Sequence, residues 1–143
     1  MLRVSYLLAF KNKTVWTIGP EEPVLEAIQL MADKHIGALP VLRDEELVGI
    51  VSERDYARKV ILLGRSSSDT PVWQIMSSPV TTVSPDEGVH RCMELMTELR
   101  IRHLPVMEKN RLVGMISIGD LVKAVIEEQQ QTKVESAEKV PVR

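Results

Sequence analysis

Shifted by 65 positions, the chain lies on itself: Val15 to Tyr56 falls on Val80 to Leu121 without a gap. Thr17, Pro20, Glu22 and Val24 meet Thr82, Pro85, Glu87 and Val89. Leu39-Pro40-Val41 meets Leu104-Pro105-Val106, and Leu47-Val48-Gly49 meets Leu112-Val113-Gly114. The stretch GIVSERD at 49–55 returns as GMISIGD at 114–120, keeping glycine, serine and aspartate in place. A weaker echo precedes the match, where Val4-Ser5-Tyr6-Leu7-Leu8 resembles Val72-Trp73-Gln74-Ile75-Met76. A repeat of this kind constrains the fold more than local propensity does, because one supersecondary unit must be built twice. With 143 residues there is room for one compact domain or two very small halves sharing a core.

Each copy reads as β-α-β-β-α. Residues 15–18 and 80–83 are short β-branched runs and read as strands. Ser84-Pro85-Asp86-Glu87 is a helix start, with a capping serine, a first-turn proline and acids at the positive dipole end. Gly19-Pro20-Glu21-Glu22 is its counterpart. Apolar residues then follow at helical spacing: Val24, Ala27, Ile28 and Met31 in one copy, Val89, Cys92, Met93 and Met96 in the other. Residues 38–42 and 103–107 read as strands that turn through polar residues into 47–51 and 112–116, one hairpin per unit. A second helix begins at each Ser-x-x-Asp. The linker reads as 64–71. Repeat 1, with an N-terminal helix and the linker, therefore occupies 1–70, and repeat 2 occupies 71–126. The polar tail 127–143 reads as frayed or disordered. The expected fold class is α+β, with small sheets of α/β type. Neither unit can cover both faces of a three-stranded sheet, so the two sheets should pack together about a pseudo-twofold axis and leave two equivalent clefts.

Composition excludes more than it identifies. Net charge is -2, so a broad basic face for nucleic acid is not expected, and aromatics make up only 3% of the chain. The single cysteine, Cys92, allows no intrachain disulfide and fits a reducing compartment. The apolar run in MLRVSYLLAFKNK is too short to span a membrane and lacks a small-residue cleavage site. It reads as part of the domain of a cytoplasmic protein.

The repeated motifs resemble the CBS domain, and their tandem arrangement resembles a CBS pair, or Bateman module. The features that carry the resemblance are Leu-Pro-Val ending a strand, Leu-Val-Gly in the next, and Gly-h-h-Ser-x-x-Asp after it (h, apolar). They cover residues from about 4 to 126, and HIGALPV, RIRHLPV and GMISIGDLV look like stand-alone CBS-pair proteins of bacteria and plant organelles. The resemblance implies binding of an adenosine-containing ligand: AMP, ADP, ATP, NAD(H) or S-adenosylmethionine. It implies that the serine faces phosphate, that the aspartate holds the ribose hydroxyls, and that each cleft draws on both repeats. One cleft would use Thr17, Ile18, Gly37 and Ala38 with Ser117, Gly119 and Asp120. The other would use Thr82, Val83, Arg102 and His103 with Ser52, Arg54 and Asp55. It also implies a homodimer that signals to an unidentified regulated protein.

The residues suit that role. A carboxylate accepts two hydrogen bonds from a vicinal diol, and a serine at a helix start sits beside free N–H groups that favour phosphate. Ser-x-x-Asp before an apolar helix is equally a capping pattern worth about 1 kcal/mol. Both roles stay open at this stage. Arg54, Arg102 and His103 point to the second cleft as the better phosphate site, whereas Gly37 and Ala38 leave the first roomy and weakly charged. Trp16 and Trp73 read as packing or interface residues, Met31, Met93 and Met96 as core, and Arg58, Lys59 and Arg65 as a solvated basic cluster. His35 and His90 read as exposed helix residues, and no metal-ligand spacing is present. No nucleophile–base set, Gly-x-Gly-x-x-Gly or Walker motif is seen, so the chain does not read as an enzyme. The competing reading is a ligand-independent protein-interaction or scaffold module, in which Ser-x-x-Asp only caps.

Overall fold

The computed structural model describes residues 1–11 and 14–139, with side chains in the last helix described as far as residue 131. In chain order the elements are α1 (Val4–Phe10), α2 (Val24–Lys34), β1 (Ala38–Arg43), β2 (Glu46–Ser52) and α3 (Glu53–Tyr56). A π-helical turn, Ala57–Ile61, extends α3, and a 3₁₀ turn follows at Val72–Gln74. Then come α4 (Val89–Leu99), β3 (His103–Glu108), β4 (Arg111–Ser117) and α5 (Ile118–Lys139). The result is the expected α+β class: two similar units, each with a small two-stranded antiparallel sheet.

The likeness holds to the level of register. In the first hairpin Ala38 faces Ser52 and Pro40 faces Ile50, with an irregularity between Val41 and Leu42. In the second, His103 faces Ser117 and Pro105 faces Met115, with the same irregularity between Val106 and Met107. Both turns place two residues in the left-handed region, Asp44-Glu45 and Lys109-Asn110, the conformation that matches strand twist in two-residue hairpins.

The expected first strands shrink to single parallel bridges, Ile18 to Val41 and Val83 to Val106. Proline at 20 and 85 ends each run before a ladder can extend. The polar tail also differs from expectation, because helix α5 continues through residue 139. Its Glu-, Gln- and Lys-rich sequence contains no glycine or proline to stop it between 120 and 140. Residues 140–143 of that tail lie outside the described residues. Among the described residues no helix is long and apolar enough to cross a membrane.

The two cores do not follow the linear boundary near residue 70. Val4 and Leu7 of α1 are buried with Leu104, Val106, Ile116 and Leu121 of repeat 2. Val72 and Ile75 are buried with Leu39, Val41 and Val51 of repeat 1. Backbone bonds fasten each crossing. Val4 N–H donates to Glu87 O at 2.9 Å and Val89 N–H to Leu2 O at 2.9 Å, while Val72 N–H donates to Glu22 O at 2.9 Å. The faint sequence echo before each repeat is thus the segment that closes the other repeat's core.

That crossing explains the glycine of each Leu-Val-Gly. A Cβ at Gly49 would collide with Met76 Sδ and stand 2.9 Å from Met76 Cγ. One at Gly114 would stand 2.6 Å from Leu8 Cδ2. Gly49→Ala therefore overpacks the seat of the crossing segment. It should destabilise by about 1–3 kcal/mol and lower the thermal midpoint by several degrees in a melt followed by circular dichroism. An unchanged midpoint would remove the steric reason for the glycine.

Candidate functional site

Both Ser-x-x-Asp motifs form complete reciprocal caps. In repeat 1, Asp55 N–H donates to Ser52 Oγ at 3.2 Å and Ser52 N–H donates to Asp55 Oδ2 at 2.9 Å. In repeat 2, Asp120 N–H donates to Ser117 Oγ at 3.2 Å and Ser117 N–H to Asp120 Oδ2 at 2.8 Å. The capping reading is therefore realised in both copies. What differs is the surroundings. Asp55 is paired within its own helix by Lys59, at 3.3 Å. Asp120 opens onto a cavity.

That cavity, of about 850 Å³, is the first cleft. Gly37 and Ala38 of repeat 1 line it together with Ser117 and Asp120 of repeat 2. Four of the seven residues expected in this cleft thus meet across the repeats. Trp16, Lys34, Lys11 and His103 also line it. Lys34 Nζ sits 4.3 Å above the Trp16 ring centroid, a cation–π geometry. Lys11 Nζ donates to Asp120 Oδ2 at 2.7 Å and to Met115 O at 2.6 Å. Burial alone pushes the Asp120 carboxyl up. The Lys11 hydrogen bond and charge, with Ser117 N–H and hydroxyl, outweigh it and hold the group below its ordinary value. Burial, aided by the Lys11 charge and by Arg102 against the opposing pull of Asp120, keeps His103 below its ordinary value.

The second cleft is much smaller, about 300 Å³, lined by Arg54, Arg100 and Arg102 with Met96, Thr97, Ile101 and Ile118. Superposing the repeats by the 65-residue offset gives the reason. Arg54, Arg100 and Arg102 occupy the places of Gly119, His35 and Gly37. Gly37 leaves the first cleft open, whereas Arg102, with Arg54 and Arg100, narrows the second. Arg54 Nη1 also donates to Arg100 O at 3.4 Å, tying α3 to the end of α4.

The other expected residues are placed as follows. Arg54 and Arg102 meet in the second cleft, but Ser52, Asp55 and Thr82 do not line it. His103 turns to the first cleft, since adjacent residues entering a strand face opposite sides. Its imidazole lies 3.3 Å from where a Gly37 Cβ would be. Ile18 and Val83 are core residues whose N–H and C=O are both bonded to the neighbouring chain at Pro40, Leu42, Pro105 and Met107. Thr17 and Gly119 border the first cleft in sequence without lining it. Sequence reasoning missed Lys11 and Lys34 entirely and set Trp16 aside. The rarity of tryptophan marked Trp16, whereas nothing local marks a lysine that reaches Asp120 from a separate segment. Cys92 is fully buried, and desolvation followed by the Glu87 charge pushes its thiol up to about 11, in keeping with packing. Among the described residues no group of three His, Cys, Asp or Glu side chains is arranged to hold a metal ion.

A duplicated hairpin-and-helix unit, with a cavity lined by residues of both copies, defines a tandem-repeat module. A CBS-domain family model matches residues 9–62 and again 72–127, and the chain belongs to the CBS family as a tandem pair. CBS pairs are regulatory modules. The mitochondrial CBS domain-containing protein CBSX3 of Arabidopsis thaliana is 44% identical over 116 residues, which are 78% of this chain and 56% of that protein. The chain thus spans little more than half of that relative's length. A solved CBS-domain protein from Burkholderia ambifaria aligns with a TM-score of 0.86 at 49% identity, covering 89% of this chain and 96% of that one. The CBS pair of protein MJ0100, solved with 5′-methylthioadenosine and S-adenosyl-L-methionine, aligns with a TM-score of 0.80 at 24% identity over 90% of this chain and 98% of that one. At that identity the likeness is one of fold.

The lowered Asp120 carboxyl makes an acid prediction. A carboxylate held below its unfolded value, here 3.8, adds stability above that pH and loses it as pH falls through the folded value. From about pH 4 downward the thermal midpoint of the parent should fall more steeply than that of Asp120→Asn. Parallel curves would contradict the coupling of Asp120 to Lys11.

Proposed function

We propose that the chain is a regulatory sensor of an adenosine-bearing ligand, held in the first cleft, and that occupancy is signalled to a partner protein. The observation that carries this reading is the meeting of Gly37 and Ala38 with Ser117 and Asp120 around one large cavity. Asp120 offers a carboxylate for the ribose diol, and the positive end of α5 lies beside Ser117 for phosphate. Trp16, 37% exposed, supplies an aromatic wall for a base. The adenosine ligands of the MJ0100 pair support the ligand class. AMP, ADP, ATP and NAD(H) share the adenosine, and no metal is needed to hold it.

The second cleft, with Arg54 and Arg102, takes a subsidiary part: it is too filled for the same occupant, and Asp55 there serves chiefly as a cap. Thr17, Ile18, Thr82, Val83, His103 and Gly119 then act as walls and supports of the clefts. A binding module rather than an enzyme is favoured, since Ser117 and Asp120 are engaged with each other as a helix cap and Asp120 with Lys11. Exposed apolar side chains, including Phe10, Leu62 and Ile126, favour a homodimer. The lone buried thiol favours a reducing compartment such as the cytoplasm.

A Trp73→Phe background leaves Trp16 as the sole tryptophan. Titration with AMP, ADP, ATP, NAD⁺, NADH and S-adenosylmethionine should change its fluorescence for at least one ligand. Asp120→Ala should weaken that ligand about tenfold or more, the effect of losing a hydrogen bond to a charged group, and Asp55→Ala should leave it within about threefold. A silent panel, confirmed by calorimetry, would turn the reading to the ligand-independent interaction module that two complete caps also allow.

A further inference from the structure

We infer that Lys11 sets the charge class of the ligand, making the first cleft select an adenosine that bears phosphate over a neutral or cationic one. The inference rests on the reading of this cleft as the adenosine site. Lys11 directly follows α1, and its side chain is 35% exposed. Its ammonium is seated on Asp120 Oδ2 and Met115 O, inside the cavity wall.

The charges lining the cavity are few. Among the described residues Asp120 is the only carboxylate that lines it, against the ammonium groups of Lys11 and Lys34. Glu53 comes no nearer than the Gly37 side of the rim, with Oε1 3.9 Å from a Cβ built there. His35 is exposed, and burial disfavours the charged form of His103. Lys34 is engaged with the Trp16 ring. Among the described residues Lys11 is therefore the cavity cation whose carboxylate partner the ribose would engage.

The energetics follow from that partnership. A ribose diol that bonds to Asp120 competes with the Lys11 ammonium for the same oxygen. A half-buried ammonium stripped of its carboxylate needs another anion nearby. A phosphate on the ligand supplies one, and the charge-assisted bond to it is roughly twice as strong as a neutral bond. Adenosine supplies none, and a sulfonium adds a second positive charge to a cleft that already has an excess.

The other repeat shows that this lysine is no part of the repeated unit. Asp55 is paired by Lys59, four residues along its own helix, which also donates to Ile75 O at 2.9 Å. The equivalent of Lys59 in repeat 2 is Ala124. Asp120 instead receives its cation from the crossing segment, whose α1 is anchored on repeat 2 by Val4 and Leu7.

The test is calorimetric titration of the whole chain with adenosine, AMP and S-adenosylmethionine. It uses the parent, Lys11→Met, Lys11→Gln (which keeps a donor for Met115 O) and Lys11→Arg. The parent should prefer AMP to adenosine. Lys11→Met and Lys11→Gln should each shrink that preference by about tenfold and improve S-adenosylmethionine binding, while Lys11→Arg retains the parent order. Neutral variants that bind adenosine as the parent does and keep its full AMP preference would overturn the inference and leave the adenosine site standing. A parent that binds none of the three overturns the adenosine reading, and the inference with it.

Discussion

Everything in this molecule depends on two short apolar segments that cross over. Val4 and Leu7 lie in front of repeat 1 but complete the core of repeat 2; Val72 and Ile75 lie in front of repeat 2 but complete the core of repeat 1. Each of these side chains is nearly or fully buried, and such burial is worth roughly 1.5–3 kcal/mol per residue. A unit of this size buries a small share of its surface and is marginal alone. The crossing supplies the missing layer, makes the two units one body, and requires Gly49 and Gly114 to lie flat beneath Met76 and Leu8.

Symmetry then sets up two clefts, and side-chain volume separates them. The backbone of the two hairpins matches in register and irregularity. Glycine at 37 against arginine at 102, with Arg54 beside it, makes one cleft a large cavity and the other a narrow groove. Charge diverges as well. Asp55 is satisfied by a neighbour on its own helix, and Asp120 by Lys11 from the crossing segment. The backbone duplication thus preserves geometry, while a handful of substitutions assigns the two clefts different chemistry.

Much of this was legible in the sequence because duplication encodes itself. The 65-residue offset exposed the unit, the hairpins and both Ser-x-x-Asp helix starts. Helices α2 and α4 begin later than Gly19 and Ser84 suggested, after Pro23 and Gly88. The pairing of Gly37 and Ala38 with Ser117 and Asp120 was what the CBS resemblance implied. The short runs before Pro20 and Pro85 overstated β-structure, since β-branched composition cannot tell a ladder from a single bridge. Helix α5 outran its expected end because polarity was weighed above the absence of helix breakers. The placing of His103 turned on which side of the chain a side chain leaves, a property one residue of offset reverses. Lys11 was invisible for a different reason: it acts 109 residues away from Asp120, and the contact exists only once the crossing is made.

The crossing also decides what kind of motion can carry a signal. The stretch between the units, residues 64–71, looks in sequence like a hinge. It cannot serve as one, because swinging the halves apart would pull Val4 and Leu7 out of one core and Val72 and Ile75 out of the other. What remains is shear: small sliding of packed elements at the cleft rim. Helix α1 ends at the cleft through Lys11 and carries Phe10 on the outer surface, 76% exposed. One short helix thus joins the contact at Asp120 to the exterior.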